Sequence, residues 1–138
     1  MAKVLISLLG MDQHEVGALT VSRVLRDAGF EVVYLGRFQT PDSIVRAALE
    51  EGVQAIGISC YSWEFRTYVP QLLRRLEEEG LAIPVVVVGG GVLSEEDEAW
   101  LRAMGVKGVF RAGSPEGDIV RFFQELVATS SQAGTSVP

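Results

Sequence analysis

Residues 84–89 read Pro-Val-Val-Val-Val-Gly, "PVVVVG", and this hexapeptide decides the fold class. Successive side chains of a strand point to opposite faces, so the four valines coat both faces with branched apolar groups. A sheet that is apolar on both sides has to be covered on both sides. That is the setting of parallel strands joined by helical crossovers. Four more runs share the texture: "KVLISL" (3–8), "EVVYL" (31–35), "AIGIS" (55–59) and "GVFR" (108–111). Between the runs lie segments with helical periodicity. Residues 17–28 place Val21, Val24, Leu25 and Ala28 on one face. A second helix opens at Thr40-Pro41, a capping residue followed by proline at the first helical position. It carries Ile44, Val45, Ala48 and Leu49 and ends at Gly52.

A third helical stripe over about 63–79 sets Phe65, Tyr68, Val69, Leu72, Leu73 and Leu76 together, with Pro70 marking a kink or the helix start. A fourth helix opens at Ser94 with acidic residues at 95–98, and a fifth at Ser114 in "SPEGD". Five strand–helix units without an internal repeat or linker predict one α/β domain. The expected form is doubly wound, flavodoxin-like or Rossmann-like, with five parallel strands in the order 2-1-3-4-5 and helices on both faces. In such sheets ligands bind beyond the carboxyl ends of the strands, near the switch between strands 1 and 3.

Composition narrows the partners. The chain has 138 residues, 48% of them apolar, which suits a single packed domain. The expected limits are a domain over 1–128 and a flexible polar tail over 129–138. A net charge of −6 argues against nucleic acid, whose binding needs clustered Lys and Arg. No stretch approaches the ~20 apolar residues of a membrane span. Cys60 is the only cysteine, and "MAKVLIS" runs straight into the first strand, so a reducing, cytoplasmic setting is expected.

Three unusual loops converge on the predicted ligand-binding edge: "GMDQHEVG" (10–17) after strand 1, "SCYSW" (59–63) after strand 3 and "GGG" (89–91) after strand 4. The first holds His14, the only histidine. A lone loop histidine is most simply a solvated one. Here, however, Asp12 at i−2 is placed to accept the Nδ1–H, which fixes the tautomer and leaves Nε2 for a metal. Gly10 and Gly17 clear space on either side. Asp12, His14 and Glu15 are too few to hold an ordinary metal ion, and Cys60 alone does not complete a zinc set. A metal bound by His14 would have to arrive with its other ligands in place, as cobalt does in a corrinoid. The loop after strand 1 is not the Ser/Thr-rich loop of a flavin phosphate site. It also lacks G-x-G-x-x-G. Ser59 and Cys60 stand where a response-regulator receiver carries its acceptor aspartate. A Cys60–His14 nucleophile pair stays open at this point.

Asp12-Gln13-His14-Glu15-Val16-Gly17 matches the D-x-H-x-x-G motif of cobalamin-binding domains. Ser59-Cys60-Tyr61 stands at their S-x-L and Gly90-Gly91 at their glycine pair. The stretches "LRDAGFEVVYLGRFQTPDSIVRAALEEGVQAIGIS" and "GGGVLSEEDEAWLRAMGVKGVFRAGSP" also resemble the methylmalonyl-CoA mutase branch, so the likeness covers roughly residues 3 to 127. It implies that His14 replaces the cofactor's dimethylbenzimidazole as lower axial ligand to cobalt, the base-off/His-on state. Asp12 would hydrogen-bond His14, and the displaced nucleotide tail would thread between strands 1 and 3. Gly17 would make room for the tail, Ser59 would hydrogen-bond its base, and Tyr61 would wall the pocket. Gly90, Gly91, Gly113 and Ser114 would line its far end.

Three positions depart from the family pattern. Leu8 stands where the acyl-CoA mutases usually carry lysine, Tyr61 where they carry leucine, and Ser94 where "GGxxP" has proline. The small subunit of glutamate mutase also lacks that lysine. Mutase chemistry needs a substrate-binding barrel, for which this chain is too short. The resemblance therefore implies the small subunit of an adenosylcobalamin-dependent carbon-skeleton mutase, an isomerase, paired with a large TIM-barrel-type subunit and inactive alone. The alternatives are a stand-alone corrinoid carrier or sensor, and an α/β interaction module without a corrinoid.

Overall fold

The computed structural model describes residues 2–10, 14–89 and 93–135. In chain order its elements are β1 (Lys3–Ser7), α1 (Glu15–Asp27), β2 (Glu31–Gly36), α2 (Pro41–Glu51), β3 (Ala55–Cys60), α3 (Phe65–Glu78), β4 (Val85–Gly89), α4 (Glu95–Met104), β5 (Gly108–Phe110) and α5 (Glu116–Thr135). The sheet is parallel throughout, with strand order β2-β1-β3-β4-β5, as the alternation of textures predicts.

Two apolar layers cover it. One is built from α2, α3 and α4 and takes Ile56, Ile58, Val85 and Val87 from the sheet. The other is built from α1 and α5 and takes Val4, Ile6, Ala55, Val86 and Val88. The valine run thus divides its side chains between the layers, which is the physical content of an unalternating strand.

The helix ends follow from their own residues. Thr40 and Ser43 form a capping box at α2, with Pro41 in the first turn and Gly52 left-handed at the far end. Ser94 and Asp97 form a second box at α4, which accounts for serine where the family pattern has proline. Helix α1 starts at Glu15, two residues ahead of the start that periodicity suggests, so Gly17 lies in its first turn. Helix α3 contains Pro70 and neither starts nor stops there. Helical backbone in α5 runs on through Thr135, into the segment that composition assigns to the tail.

One irregularity positions the site. The β1–β2 register shifts between Ile6 and Ser7, so that Ser7 pairs with Gly36. Beyond it, the amides of Leu8 and Gly10 donate to the carbonyls of Gly36 and Gln39, at 3.2 and 2.7 Å. The exit of β1 is therefore tied to the β2–α2 loop before the chain reaches His14.

Candidate functional site

At the carboxyl edge of the sheet, α1 and α5 stand apart above the end of β4 and enclose a cavity of about 400 Å³. Its walls are mostly apolar: Val16, Val21 and Val24 from α1, Val88 from β4 and Ile119 from α5. His14, Gly17, Tyr61, Gly113 and Ser114, five of the residues singled out from sequence, line this one space. Asp12, Gly90 and Gly91 lie outside the described residues. The cavity is walled by α1 and α5 against the end of β4.

His14 sits immediately before α1, with no side-chain cap hydrogen bond to the helix. Its ring centroid is 6.0 Å from that of Tyr61, the planes tilted by 31°. Tyr61 lies over Gly17: a Cβ there would fall 2.5 Å from the Tyr61 ring, closer than real Cβ atoms come. The space that Gly17 leaves is thus filled by the tyrosine that stands in place of the family's leucine.

Ser59 is the anomaly of the sheet. It shares the α1–α5 face of β3 with Ala55, by strand alternation, and pairs in register with Val88 of the cavity wall. Among the described residues, the buried polar ones are Ser7, Ser22, Ser59 and Asp97. Ser7 and Ser22 donate to the Leu8 and Ala18 carbonyls at 2.7 and 2.8 Å, and Asp97 accepts from the Ser94 amide at 3.0 Å. The Ser59 hydroxyl is buried with no hydrogen-bond partner among the described residues. Such a group carries a desolvation cost of roughly 1–3 kcal/mol until a partner arrives. Cys60, the next residue, points the other way, into the α2–α4 layer. That places the thiol on the opposite side of the sheet from the cavity and leaves the Cys60–His14 nucleophile pair unassembled.

Leu8 is fully buried in the α1–α5 layer, so a core side chain occupies the position of the mutase lysine. Two features of the rim were not read from the sequence. Glu15, directly after His14, accepts from the Tyr34 hydroxyl at 2.7 Å and pairs with Arg37 at 3.3 Å. Burial, reinforced by the Glu15 carboxylate, pushes the Tyr34 phenol up to about 12. The start of α1 is thereby pinned to β2. The second is Arg111, whose loop forms the far wall. Both depend on contacts distant in sequence, and no local motif signals them. Among the described residues, no group of three His, Cys, Asp or Glu converges as a metal-binding set. Nor is any helix there long and apolar enough to cross a membrane.

Residues 2–117 match the family described as B12 binding domain. The chain is 37% identical over 126 residues to the 2-hydroxyisobutanoyl-CoA mutase small subunit of Aquincola tertiaricarbonis, covering 91% of this chain and 92% of that one. It is 33% identical over 126 residues to methylmalonyl-CoA mutase of Escherichia coli, covering 91% of this chain but spanning only 18% of that much longer protein. Among solved structures, a cobalamin-binding protein from Desulfitobacterium hafniense DCB-2 superposes with a TM-score of 0.78 at 21% identity, covering 91% of this chain and 58% of that one. A Francisella response-regulator receiver domain reaches 0.73 at 13% identity, covering 94% and 99%. At these identities the structural likeness speaks to the fold alone, and the fold accommodates both kinds of protein.

Proposed function

The chain belongs to the B12-binding domain family, and from that premise we propose that it binds cobalamin as the small subunit of an adenosylcobalamin-dependent acyl-CoA mutase. The observation that carries the reading is Ser59. A buried hydroxyl with no partner among the described residues, on the strand position that pairs with Val88 of an apolar cavity with a histidine on its wall, fits a ligand with a polar heteroaromatic base and a metal in need of one nitrogen.

In this reading His14 would supply the protein's nitrogen to cobalt in place of the cofactor's own base, the base-off/His-on state, and Asp12 would keep the imidazole in the correct tautomer. Ser59 donates to the base nitrogen. Gly17 and Tyr61 would shape the entrance, Gly113 and Ser114 would line the far end, and the family motif would add Gly90 and Gly91 there. Entry of the tail requires the Tyr61 ring to leave the face of Gly17. The chemistry supplied when adenosylcobalamin is bound is radical formation at its cobalt–carbon bond. This chain's residues orient that cofactor, while a large subunit of the TIM-barrel type brings the acyl-CoA substrate. The binding domain is taken as residues 1–128, working in the reducing cytoplasm that a single cysteine suits.

The test is direct. The purified chain is mixed with adenosylcobalamin or hydroxocobalamin, unbound cofactor is removed, and the visible spectrum is recorded. Reduction to cob(II)alamin and EPR with nitrogen-15 histidine then identify the axial nitrogen. Retained cofactor with a histidine-dependent splitting that His14→Ala removes is the expected result. No retention at high protein concentration, or a splitting that survives His14→Ala, sinks the His-on reading.

A further inference from the structure

Among the described residues lining the α1–α5 cavity, Arg111 is the one permanent cation. Glu116 is the one carboxylate beside it, and Glu116 is engaged by Arg23 at 3.5 Å. The Arg111 guanidinium leans the other way, toward α4. Its Nε is 3.2 Å from Glu98, and its Nη2 is 3.8 Å from the exposed Glu95. Residues 111–114 also line a second, polar cavity of about 450 Å³ that contains Glu98. The side chain therefore stands on a partition between two spaces and reaches either by rotating its own bonds.

The backbone under it is held. The amide and hydroxyl of Ser114 both donate to the Arg111 carbonyl, at 3.2 and 2.7 Å, and Gly113 takes the left-handed conformation that this turn needs, φ 87°. Glu98 has a second cation as well, Arg102 at 3.1 Å. Departure of Arg111 leaves Glu98 paired, so the movement strands no charge.

The nucleotide tail of cobalamin contains a phosphodiester with one negative charge. An apolar cavity accepts such a charge only with a counter-charge at hand. A guanidinium meets phosphate oxygens in a forked, charge-assisted geometry. The geometry points to Arg111 as the residue that pairs with the tail phosphodiester, handing Glu98 over to Arg102 when the cavity fills. This assignment rests on the cobalamin reading above.

Equilibrium binding of the full chain to three corrinoids separates the two ideas. Cobalamin carries phosphate and nucleoside, cobinamide phosphate carries phosphate alone, and cobinamide carries neither. Arg111→Ala should weaken cobalamin and cobinamide phosphate by about tenfold to a hundredfold and leave cobinamide unchanged. Arg111→Lys should recover part of the loss, and the salt dependence of cobalamin binding should flatten in Arg111→Ala. Equal losses on all three ligands, or wild-type affinity for cobalamin in Arg111→Ala, overturns the assignment while the cobalamin reading stands. Failure of the wild-type chain to bind any corrinoid overturns the reading and the assignment together.

Discussion

The two sides of the sheet are built to different standards. On the α2–α4 side both outer helices, α2 and α4, open with reciprocal capping boxes and end at left-handed glycines, Gly52 and Gly105. Arg75 of α3 reaches Asp42 of α2 at 2.7 Å. Asp97, almost fully buried, accepts from the Ser94 amide and from Arg66, whose guanidinium lies 5.5–5.7 Å from the rings of Trp63, Phe65 and Trp100. On the α1–α5 side His14 precedes α1 without a side-chain cap hydrogen bond, Ser59 is unsatisfied among the described residues, and an apolar cavity stands open. The α2–α4 side has space of its own, about 390 Å³ between α2 and α3, but charged and polar side chains line it, and two further unpaired buried oxygens, on Ser62 and Glu64, lie where β3 leads into α3. The difference is therefore one of chemistry: only the α1–α5 cavity sets an apolar wall beside a strand hydroxyl that has no partner among the described residues.

That contrast is open to attack at matched positions. The largest difference should separate the two kinds of buried polar residue. Asp97→Ala removes half a capping box and the partner of Arg66, and a loss of about 3 kcal/mol in urea unfolding is expected. Ser59→Ala removes a group that has no partner, so stability should hold or rise by up to about 1 kcal/mol. Cobalamin affinity in Ser59→Ala should nevertheless fall about tenfold, the worth of one hydrogen bond. A Ser59→Ala protein that is as destabilised as Asp97→Ala would erase the distinction.

Adjacent valines on β4 sharpen it. Val87 is fully buried in the closed layer, and Val88 borders the cavity. Val87→Ala should cost about 2.5 kcal/mol and Val88→Ala about 1 kcal/mol, because truncation beside an existing void removes fewer contacts. Equal midpoint shifts in denaturant would mean the cavity closes in solution. The smallest effect concerns the pin at the start of α1. The Tyr34 phenol is raised from 10.0 to about 12 in the fold, so the unfolded chain loses this proton first as pH rises. Its contribution is complete below pH 10 and is lost as pH climbs from 10 toward about 12. Tyr34→Phe should flatten that part of the stability–pH curve, and an unchanged slope would remove Tyr34 from the account.

Much of the architecture was legible because it is local. Runs of β-branched residues announced β1 to β5, and Thr40-Pro41 and Ser94 announced two helix starts. The misjudged points are also instructive. Helix α1 begins ahead of its apolar stripe, because Glu15 is held by Tyr34 of β2, 19 residues away in sequence. Of the two readings of Pro70, a kink or the helix start, the second does not hold, since α3 begins at Phe65. The apolar face of α3, with Phe65, Val69, Leu72 and Leu76 buried, carries the helix through Pro70. At the site, the motif residues His14, Gly17, Tyr61, Gly113 and Ser114 do meet at one cavity. The sequence did not say that the cavity would lie between α1 and α5, nor that Arg111 would stand in its wall.

The amino-acid sequence by itself determined the alternation of strands and helices, the parallel sheet and the family. These are carried by periodicity, capping residues and short motifs, all of which act over a few positions. Only the tertiary structure decided where the apolar cavity opens, that Ser59 and Cys60 part to opposite layers with Ser59 unpaired among the described residues, and that Arg111 stands between Glu98 and the cavity. Those outcomes depend on where helices distant in the chain come to rest on the sheet. Close packing settles that position for all the layers together, and no local window of residues contains it.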